Sequence, residues 1–500
     1  MYPARQTFFV LGLSKSGSAA TEFLLKRGAT VFIYDDVLND RIEEAMRRLE
    51  EQGAKRVDKS HVSKMVETCD ALVLSPGIPI DHPLAVAFKR NGRAVIGESE
   101  LAARYMCCPI IAVTGTNGKT TTVSMLEKIL SDGGIKAQAC GNVGFPMINC
   151  VDFSNEEVAI AEVSSFQLET LGSLCPHIAV VLNVTEDHLN RHYNMENYIF
   201  LKAKILKNST EAELAVLNYD DPTVRSFSEK TKARIIWFSA REEVNGACVK
   251  EGWISFAGEK IMPVNKLSVG GAHNVLNALA AVCAAKLMGV KTEEIARSLA
   301  EFKGVRHRVE YVDEVDGVKY INDSKGTNVD ATLKAIGCMK EKTVLLLGGK
   351  DKGYDYDKLF SALRVSSVVS TVLYGENRFR LLDSAIRCGY FKLSLCSNFS
   401  CALQIAKLTA SAGQTVLLSP ASASFDEFDG FEERGDAFVS FVRELAAEAD
   451  RRKEESAKER EENLEESEDG EALSVGDDPS EPTADGAGNI PLRKDEDGEE

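Results

Sequence analysis

The stretch Ile110-Ile111-Ala112-Val113-Thr114-Gly115-Thr116-Asn117-Gly118-Lys119-Thr120-Thr121 decides how the middle of this chain folds. An apolar run leads into a glycine-containing turn, and a helical pattern of apolar residues follows from Val123 to Leu130. A strand, a tight turn and a helix start aim backbone N–H groups at an anion. Lys119 can neutralise phosphates, and the Thr120 hydroxyl can hold Mg²⁺. We predict a nucleoside triphosphate site. An ordinary turn is the alternative, because Val113 replaces the first glycine of G-x-x-x-x-G-K-[ST].

This loop also resembles one superfamily. Thr114-Gly115-Thr116-Asn117-Gly118-Lys119-Thr120 is similar to the ATP loop of the Mur ligases, which build the peptide of bacterial cell-wall precursors. Folylpolyglutamate synthases and cyanophycin synthetases carry the same loop. The loop alone therefore indicates an ATP-dependent amide-forming ligase. Other motifs are needed to indicate which member of the superfamily the chain resembles.

Bulk composition bounds the class of protein. A typical domain of about 150 residues predicts three domains for a chain of 500 residues. The chain has 12 cysteines without a CxxC pair, no secretory signal and no apolar run that could cross a bilayer. We therefore expect reduced thiols in a cytoplasmic protein without membrane insertion.

The net charge of −17 is concentrated near the C-terminus. Residues 451–500 hold 7 basic and 19 acidic side chains, a net charge of −12, which leaves −5 for the other 450 residues. Few large apolar residues occur there, so burial cannot offset the ordering entropy. We predict a disordered acidic tail over 451–500, either a solvating extension or a docking segment. The acidity of the chain also argues against a nucleic-acid partner.

The rest of the chain alternates short apolar runs with helical lengths, a pattern typical of α/β folds with mostly parallel sheets. We predict a Rossmann-like UDP-substrate domain over 1–97 and a P-loop-type ATP-binding domain over 98–303. A second Rossmann-like domain, for the amino acid, is predicted over 304–450.

The first domain begins with a predicted βαβ unit that has polar residues at its turns. Lys15 and Ser16 follow the first strand and could hold phosphate. Asp35 and Asp36 end the second strand, where a ribose hydroxyl could bind. Because Ser14 replaces the middle glycine of G-x-G-x-x-G, a redox dinucleotide is the less favoured alternative to a uridine diphosphate group.

Two further turns resemble acceptor-binding segments of the Mur ligases. Ser75 and Gly77 lie in a Ser-Pro-Gly-Ile turn similar to the UDP-binding turn of the branch that adds D-glutamate. Asn142, in Gly-Asn-Val-Gly, matches a turn that contacts the muramoyl substrate in that family. Ordinary polar turns are the alternative for both segments.

A carboxylate within an apolar strand predicts a metal site. Glu162 lies within the apolar run Val158–Val163, where a charge is costly unless it meets a cation. The segment Glu162–Glu169 resembles an E-x-S-S-F-Q-L-E run whose first Glu holds Mg²⁺ in the D-glutamate branch. The Asn183–Arg191 run, N-V-x-x-D-H-x-x-R, resembles a family segment in which His188 would bind a second Mg²⁺.

Lys202 is a further candidate that only the resemblance raises. The spacing Tyr198–Ile205 fits the family pattern Y-x-x-x-K-x-x-I and selects Lys202 rather than Lys204 as the lysine that carries a carbamate. A carbamate is an anion that can coordinate Mg²⁺, which an ammonium cannot do. Without the family, Lys202 is an ordinary lysine of an amphipathic helix. The implied metal ligands are Thr120, Glu162, His188 and Lys202, and the implied catalytic residues are Lys119, His188 and Lys202.

Motifs beyond the loop complete the implied ATP site. Gly271–Ala278 matches the segment that contacts adenine, Arg308 would reach phosphates through its guanidinium fork, and Asp323 would hold the ribose. Polar turns and surface charges are the alternatives. The implied ATP contacts are Gly115, Thr116, Asn117, Gly118, Lys119, Thr120, Thr121, Asn274, Asn277, Arg308 and Asp323.

The third domain points to the amino acid. Asn322–Asn328, Gly348–Gly353 and Leu418–Gly435 resemble segments of the D-glutamate branch, whereas the D-N-P-R motif of the diaminopimelate branch is absent. A dicarboxylic amino acid needs cations and hydroxyls. The implied D-glutamate contacts are Lys325, Thr327, Lys352, Ser424 and Phe431.

The resemblance covers residues 5–445 and implies a ligase that uses ATP and two Mg²⁺ ions. It would join D-glutamate to UDP-N-acetylmuramoyl-L-alanine through an acyl phosphate, and we expect a monomer. The alternatives are a Mur-type ligase for another amino acid and a non-catalytic ATP-binding regulator.

Overall fold

Three separate β-sheets, each flanked by helices, form the fold in a computed structural model that describes residues 3–142 and 144–471. All three sheets lie within one compact unit that ends at Val442. Within the described residues, no helix combines the length and the apolar character that a membrane span requires.

The first sheet is fully parallel, with the strand order β3-β2-β1-β4-β5. Its strands are β1 (Thr7–Leu11), β2 (Thr30–Tyr34), β3 (Lys55–Arg56), β4 (Ala71–Leu74) and β5 (Ala94–Gly97). The helices are α1 (Lys15–Lys26), α2 (Asp40–Glu51), α3 (Met65–Thr68), α4 (Pro83–Arg90) and α5 (Glu98–Ala103). The strand order reverses direction at β1 and β4, so the loops that follow these strands border a crevice suited to a ligand.

The second sheet has nine strands in the order β14-β13-β12-β11-β10-β9-β6-β8-β7. Its strands are β6 (Ile110–Thr114), β7 (Lys136–Gly141), β8 (Glu157–Glu162), β9 (Ile178–Val181), β10 (Leu214–Asn218), β11 (Arg234–Ser239), β12 (Gly246–Lys250), β13 (Trp253–Phe256) and β14 (Glu259–Pro263). The helices are α6 (Lys119–Asp132), α7 (Ser165–Thr170), α8 (Leu189–His192), α9 (Met195–Ala203), α10 (Pro222–Arg225), α11 (Ala272–Leu287) and α12 (Thr292–Glu301). Strands β6 to β12 are parallel to one another, whereas β13 and β14 add an antiparallel edge.

The third sheet has the order β15-β16-β20-β17-β18-β19 and is parallel except for β15. Its strands are β15 (Glu310–Val315), β16 (Val318–Asn322), β17 (Thr343–Gly348), β18 (Val368–Tyr374), β19 (Leu393–Leu395) and β20 (Thr415–Leu418). The helices are α13 (Val329–Ile336), α14 (Asp357–Leu363), α15 (Arg378–Arg387), α16 (Phe399–Thr409) and α17 (Phe431–Glu471). The predicted α/β class with three mostly parallel sheets is confirmed.

Strand β6 shows why the apolar runs are continuous rather than alternating. Ala112 packs into the core on one face of the second sheet, and Ile111 and Val113 pack into the core on the other face beneath α6, α11 and α12. Both faces are covered, so every position of the strand is apolar. The phosphate loop therefore grows from the buried centre of the sheet, between β8 and β9.

The predicted tail requires a correction. Helix α17 continues to Glu471, so residues 451–471 are helical where the composition predicted no regular structure. Glu, Lys, Arg and Ala are strong helix formers, and a helix can form there without the apolar burial on which the prediction depended. Residues 472–500 lie outside the described residues. The proposed domain limits stay predictions.

Arg434 is a fully buried arginine that ties the third sheet's loops together. Its guanidinium donates to the carbonyl oxygens of Ser324 (2.8 Å), Ser422 (3.1 Å) and Ala423 (3.1 Å) and to the Ser324 hydroxyl (3.0 Å). One side chain thus joins the loop after β16 to the loop after β20.

Replacing Arg434 by alanine would leave these buried carbonyls without donors, and a buried unsatisfied group is costly. We expect Arg434→Ala to lower the free energy of unfolding by about 3 kcal/mol, measured by urea denaturation. Arg306→Ala, which removes an exposed ion pair with Asp436, should cost less than about 1 kcal/mol. Equal effects of the two variants would contradict the role of Arg434.

Candidate functional site

The phosphate loop has a conformation that requires its glycines. Gly115 and Gly118 have φ values of 153° and 90°, which side chains disfavour. A Cβ atom on Gly118 would lie 2.2 Å from the Asn277 Oδ1 atom, so α11 packs directly on the loop. The predicted strand, turn and helix start at Lys119 are confirmed.

Glu162 lies at the centre of a polar cluster, with 2% of its surface exposed. Its carboxylate accepts hydrogen bonds from the Thr120 hydroxyl (2.8 Å) and the Asn142 amide (3.0 Å). Lys325 of the third sheet's loop donates to the same Thr120 hydroxyl at 2.7 Å. Burial raises the pKa of Glu162, but Lys325, Lys119 and the hydrogen bonds from Asn142 and Thr120 together hold the pKa below its usual range.

Two lysines, the buried Lys202 and the half-buried Lys119, share one acceptor beside this cluster. Lys119 Nζ donates to the carbonyl oxygens of Gly115 (2.9 Å) and Thr116 (2.8 Å), and Lys202 Nζ donates to the Gly115 oxygen at 2.7 Å. Burial lowers the pKa of Lys202 well below its usual value, and the neighbouring Lys119 charge lowers it further. A lowered pKa favours the neutral amine, which is the form that can add CO₂.

The structure separates Lys202 from Lys204. Lys202 is only 1% exposed and faces the phosphate loop. Lys204 instead donates to the carbonyl oxygens of Leu168 and Glu169 at the end of α7. Lys204 therefore supports a helix end, and Lys202 is the lysine beside the polar cluster.

His188 follows the next strand of the sheet and pairs with Asp187. The His188 Nε2 atom lies 3.5 Å from Asp187 Oδ2, and the imidazole packs edge-on against Phe166. Burial lowers the pKa of His188 to about 4, with Asp187 opposing and three lysines adding to the shift. The imidazole is thus neutral at pH 7, as a metal ligand must be.

Asp187 is a buried residue that the motif analysis did not select. It accepts hydrogen bonds from the Tyr354 hydroxyl (2.7 Å) and the Asn328 amide (3.1 Å), which both come from the third sheet's loops. Asp330 likewise accepts from Asn117 of the phosphate loop at 2.6 Å. These pairs hold the second and third sheets together at the site, and no sequence spacing reveals contacts between such distant segments.

A cavity with an apolar wall lies beside the phosphate loop. Its walls include Leu182, Asn183, Asn218, Phe238, His273, Leu276, Asn277, Arg308, Val309, Asp323 and Ala335. Asn274 lies one turn from Asn277 on α11, and the Asn277 amide donates to the Asn274 side chain at 3.2 Å. The structure thus brings the predicted adenine, ribose and phosphate residues into one place.

Two charged groups of this cavity suit a nucleotide. The Arg308 Nε atom is buried without a hydrogen-bond partner among the described residues, and so is the Thr121 hydroxyl. Asp323 accepts from the Ser419 hydroxyl at 2.6 Å, and burial raises its pKa to about 6. Unsatisfied buried donors are rare, and phosphate oxygens would satisfy them.

A cleft at the crevice of the first sheet leads toward Glu162. Loops from all three sheets line it: Ser14, Lys15, Ser16, Ser75, Gly77, Asn142, Gln167, Lys325, Phe431 and Glu432. Asp35 does not face a ligand freely, because its carboxylate accepts from the backbone N–H of Leu13 (2.8 Å) and Val37 (3.1 Å). Asp36 pairs with His82 at 3.0 Å.

The five residues predicted to contact the amino acid all lie in loops or helix starts that follow strands of the third sheet. Lys325 lies over the Phe431 ring, with Nζ 5.0 Å from the centroid, and burial lowers its pKa to about 8. Lys352 is half-buried near Asp187, and the charge of Asp187 opposes the lowering of the Lys352 pKa by burial. Thr327 follows Lys325 in the same turn. Ser424 is buried in the loop that Arg434 holds.

The donor set fits Mg²⁺. No group of three His, Cys, Asp or Glu side chains within the described residues is placed to hold a metal ion by itself. Mg²⁺ typically takes one or two carboxylates and completes its shell with water and substrate phosphates. The Glu162 carboxylate and the Thr120 hydroxyl, beside the phosphate loop, match that coordination preference.

The buried amine of Lys202, beside Lys119, should lower the stability of the ligand-free fold. We expect Lys202→Met to raise the free energy of unfolding of the ligand-free, CO₂-depleted protein by about 1 kcal/mol, because an apolar isostere replaces a buried amine beside Lys119. Thermal denaturation measures the change. Lys204→Met should lower stability, since two helix carbonyls lose their donor, and destabilisation by both variants would contradict this expectation.

Comparisons with known proteins agree along most of the chain. Residues 6–97 match the Mur ligase MurD-like N-terminal domain, residues 113–285 the Mur ligase middle domain, and residues 307–422 the Mur ligase glutamate ligase domain. The UDP-N-acetylmuramoylalanine–D-glutamate ligase of Pelotomaculum thermopropionicum is 42% identical, over 88% of this chain and 98% of that protein. The protein of the same name from Clostridioides difficile is 38% identical, over 87% and 98%.

Solved structures share the fold. The MurF ligase of Thermotoga maritima in complex with ADP has a TM-score of 0.56 and 18% identity, over 90% of this chain and 99% of that one. A pseudomurein peptide ligase type C from Methanothermus fervidus has a TM-score of 0.56 and 19% identity, over 88% and 100%.

Proposed function

The chain belongs to the Mur ligase family, and from this premise we infer that it is an ATP-dependent ligase that adds D-glutamate to UDP-N-acetylmuramoyl-L-alanine in peptidoglycan precursor synthesis. The similarity to ligases of that name spans nearly their full length. The observation that carries the chemistry is the convergence of Thr120, Glu162 and Lys325, from two different sheets, at the end of the acceptor cleft.

We propose that the cavity beside the phosphate loop binds ATP. The adenine would lie against the apolar wall near Asn274 and Asn277, and Asp323 would face the ribose. The backbone and side chains of Gly115–Thr121 would surround the phosphates together with Arg308. The unpartnered Arg308 Nε and Thr121 hydroxyl support this placement.

We propose that the acceptor occupies the cleft at the first sheet. Lys15 and Ser16, at the start of α1, and Ser75 and Gly77, after β4, would contact the uridine diphosphate. Asp35 and Asp36 would shape this end of the site. Asn142 would contact the muramoyl part, and the acceptor carboxylate would then lie near Glu162, which Asn142 touches.

D-glutamate would enter from the third sheet. Its carboxylates require cations, and Lys325 and Lys352 are half-buried lysines on that side of the site. Thr327, Ser424 and Phe431 would complete the pocket. A basic amino acid would meet these ammonium groups with the wrong charge.

Residues of this chain would neutralise the reacting charges. ATP transfers its terminal phosphoryl group to the acceptor carboxylate, and the amine of D-glutamate then displaces phosphate from the acyl phosphate to leave an amide, ADP and phosphate. Lys119 and Lys325 offset the repulsion between a carboxylate and a triphosphate. When bound, Mg²⁺ would supply further charge neutralisation, held by Thr120, Glu162, His188 and Lys202 as a carbamate. We also propose that the enzyme works as a monomer in the cytoplasm.

Substrate choice is tested by phosphate release from purified protein. We expect release only when ATP, UDP-N-acetylmuramoyl-L-alanine and D-glutamate are all present, because both Lys325 and Lys352 favour a dicarboxylic amino acid. Equal rates with L-lysine or diaminopimelate would assign another member of the family. No release with any amino acid, together with tight ATP binding, would favour a regulator.

The carbamate is tested at Lys202. We expect Lys202→Ala to lower kcat by about a hundredfold or more, because a group that positions metal is lost, and short carboxylates added to the assay to restore part of the rate. Lys202→Arg should stay inactive, since guanidinium keeps the wrong charge. Lys207→Ala is the control, because Lys207 is exposed nearby. Near-full activity of Lys202→Ala would disprove the carbamate.

The close packing of α11 on the phosphate loop gives a second test. We expect Gly118→Ala to weaken ADP affinity by about tenfold or more, because its Cβ would overlap Asn277 and its φ is +90°. Gly134→Ala has a similar φ of +81° with open space around the Cβ, so its ADP affinity should be unchanged. Titration calorimetry measures both, and equal affinities would argue against this cavity as the nucleotide site.

A further inference from the structure

Helix α8 is a four-residue helix with an unusual backbone at both ends. His188 precedes it with φ = 55°, and Tyr193 follows it with φ = 70°. Residues other than glycine rarely adopt these values and keep them only where the surroundings impose them. The contacts of α8 therefore indicate what holds this segment in place.

Arg191, in the middle of α8, reaches from the second sheet to the first. Its guanidinium donates to the carbonyl oxygens of Pro76 (3.4 Å), Gly77 (3.2 Å) and Ile78 (2.8 Å). Its Nε and Nη2 atoms also make a two-pronged pair with Glu169, at 3.0 Å and 2.7 Å. Three successive carbonyls of one turn thus accept from one side chain.

Tyr193 adds a second bridge from the same segment. Its hydroxyl donates to Asp81, a few residues beyond the turn that Arg191 holds. The turn itself carries Ser75, whose hydroxyl lies 3.1 Å from that of Ser14 in the loop after β1. The two bridges therefore hold the segment after β4, and Ser75 connects that segment to the loop after β1.

The same contacts reach His188. The Phe166 ring lies under the Arg191 guanidinium (4.9 Å to the centroid) and against the His188 imidazole (4.7 Å between centroids). His188 is three residues from Arg191 along α8. A displacement of Arg191 would therefore shift the imidazole and the turn together.

We propose that Arg191 is a positioning residue for the acceptor: it sets the distance between the turn that holds the nucleoside diphosphate and the loop that carries His188. The proposal rests on the proposed function for the acceptor's identity. Only a planar fork with several N–H groups can serve a carboxylate and three carbonyls at once. A lysine could pair with Glu169 but could not hold the whole turn.

The test measures equilibrium binding, which does not depend on turnover. We expect Arg191→Ala and Arg191→Lys to weaken the Kd of UDP-N-acetylmuramoyl-L-alanine by about tenfold or more, as for other residues that orient a binding group. The Kd of ADP should stay within about twofold, because the nucleotide cavity lies on other residues. Methylguanidine should partly restore acceptor binding to Arg191→Ala. In turnover, KM for the acceptor should rise while KM for ATP does not.

Arg27→Ala is the matched control. Arg27 is an exposed arginine at the end of α1 that pairs with Asp152 at 3.1 Å. Neither residue lines the acceptor cleft. The control variant should bind the acceptor like the wild type. If Arg191→Ala does not fold, Arg191→Lys, which keeps a charge beside Glu169, decides the outcome.

Two results would overturn the proposal, and a third would remove the function on which it rests. Wild-type acceptor affinity in a folded Arg191→Lys protein would overturn it alone. Equal weakening of acceptor and ADP binding would assign Arg191 a general structural role. Absence of acceptor binding by the wild-type protein would instead remove the proposed function on which it rests.

Discussion

The rest of the site depends on the electrostatic interaction between a carboxylate buried at the end of β8 and the lysines around it. An isolated buried charge is strongly unfavourable, and the ammonium groups of Lys325 and Lys119, with hydrogen bonds from Asn142 and Thr120, favour the ionised form of Glu162 against its burial. One lysine comes from the phosphate loop and the other from the third sheet. The charge balance of a single side chain therefore requires two sheets to meet, and the meeting point is where the acceptor cleft ends.

The other contacts between sheets follow the same logic of sharing polar groups. Asp187 obtains its donors from Asn328 and Tyr354, and Asp330 obtains one from Asn117. On the opposite side, Arg191 supplies donors to a turn of the first sheet. Few of these pairs would be satisfied within one sheet alone. The polar groups of the site therefore find their partners where the sheets meet.

The cations illustrate how function limits stability. Lys119 and Lys202 point at one carbonyl oxygen, although their charges repel and neither has a carboxylate in direct contact. An apolar core would be more stable at that place. The arrangement becomes favourable when anions such as phosphates or a carbamate are present. Arg434 is the contrasting case, because its charge is buried for the fold itself, with four acceptors around the guanidinium.

The sequence by itself determined the strand, turn and helix of the phosphate loop and the three α/β sheets, because local backbone rules and apolar patterning carry that information. The resemblance to the family also predicted Lys202 rather than Lys204 as the lysine of the site. The sequence also indicated Glu162, since a carboxylate in an apolar strand needs a partner. Only the tertiary structure decided who the partners are: Lys325 for Glu162, Tyr354 for Asp187, and the turn after β4 for Arg191. It also showed that Asp35 is bound to backbone amides and that α17 extends to Glu471. Contacts between segments a hundred or more residues apart depend on how whole sheets pack, which no local pattern records.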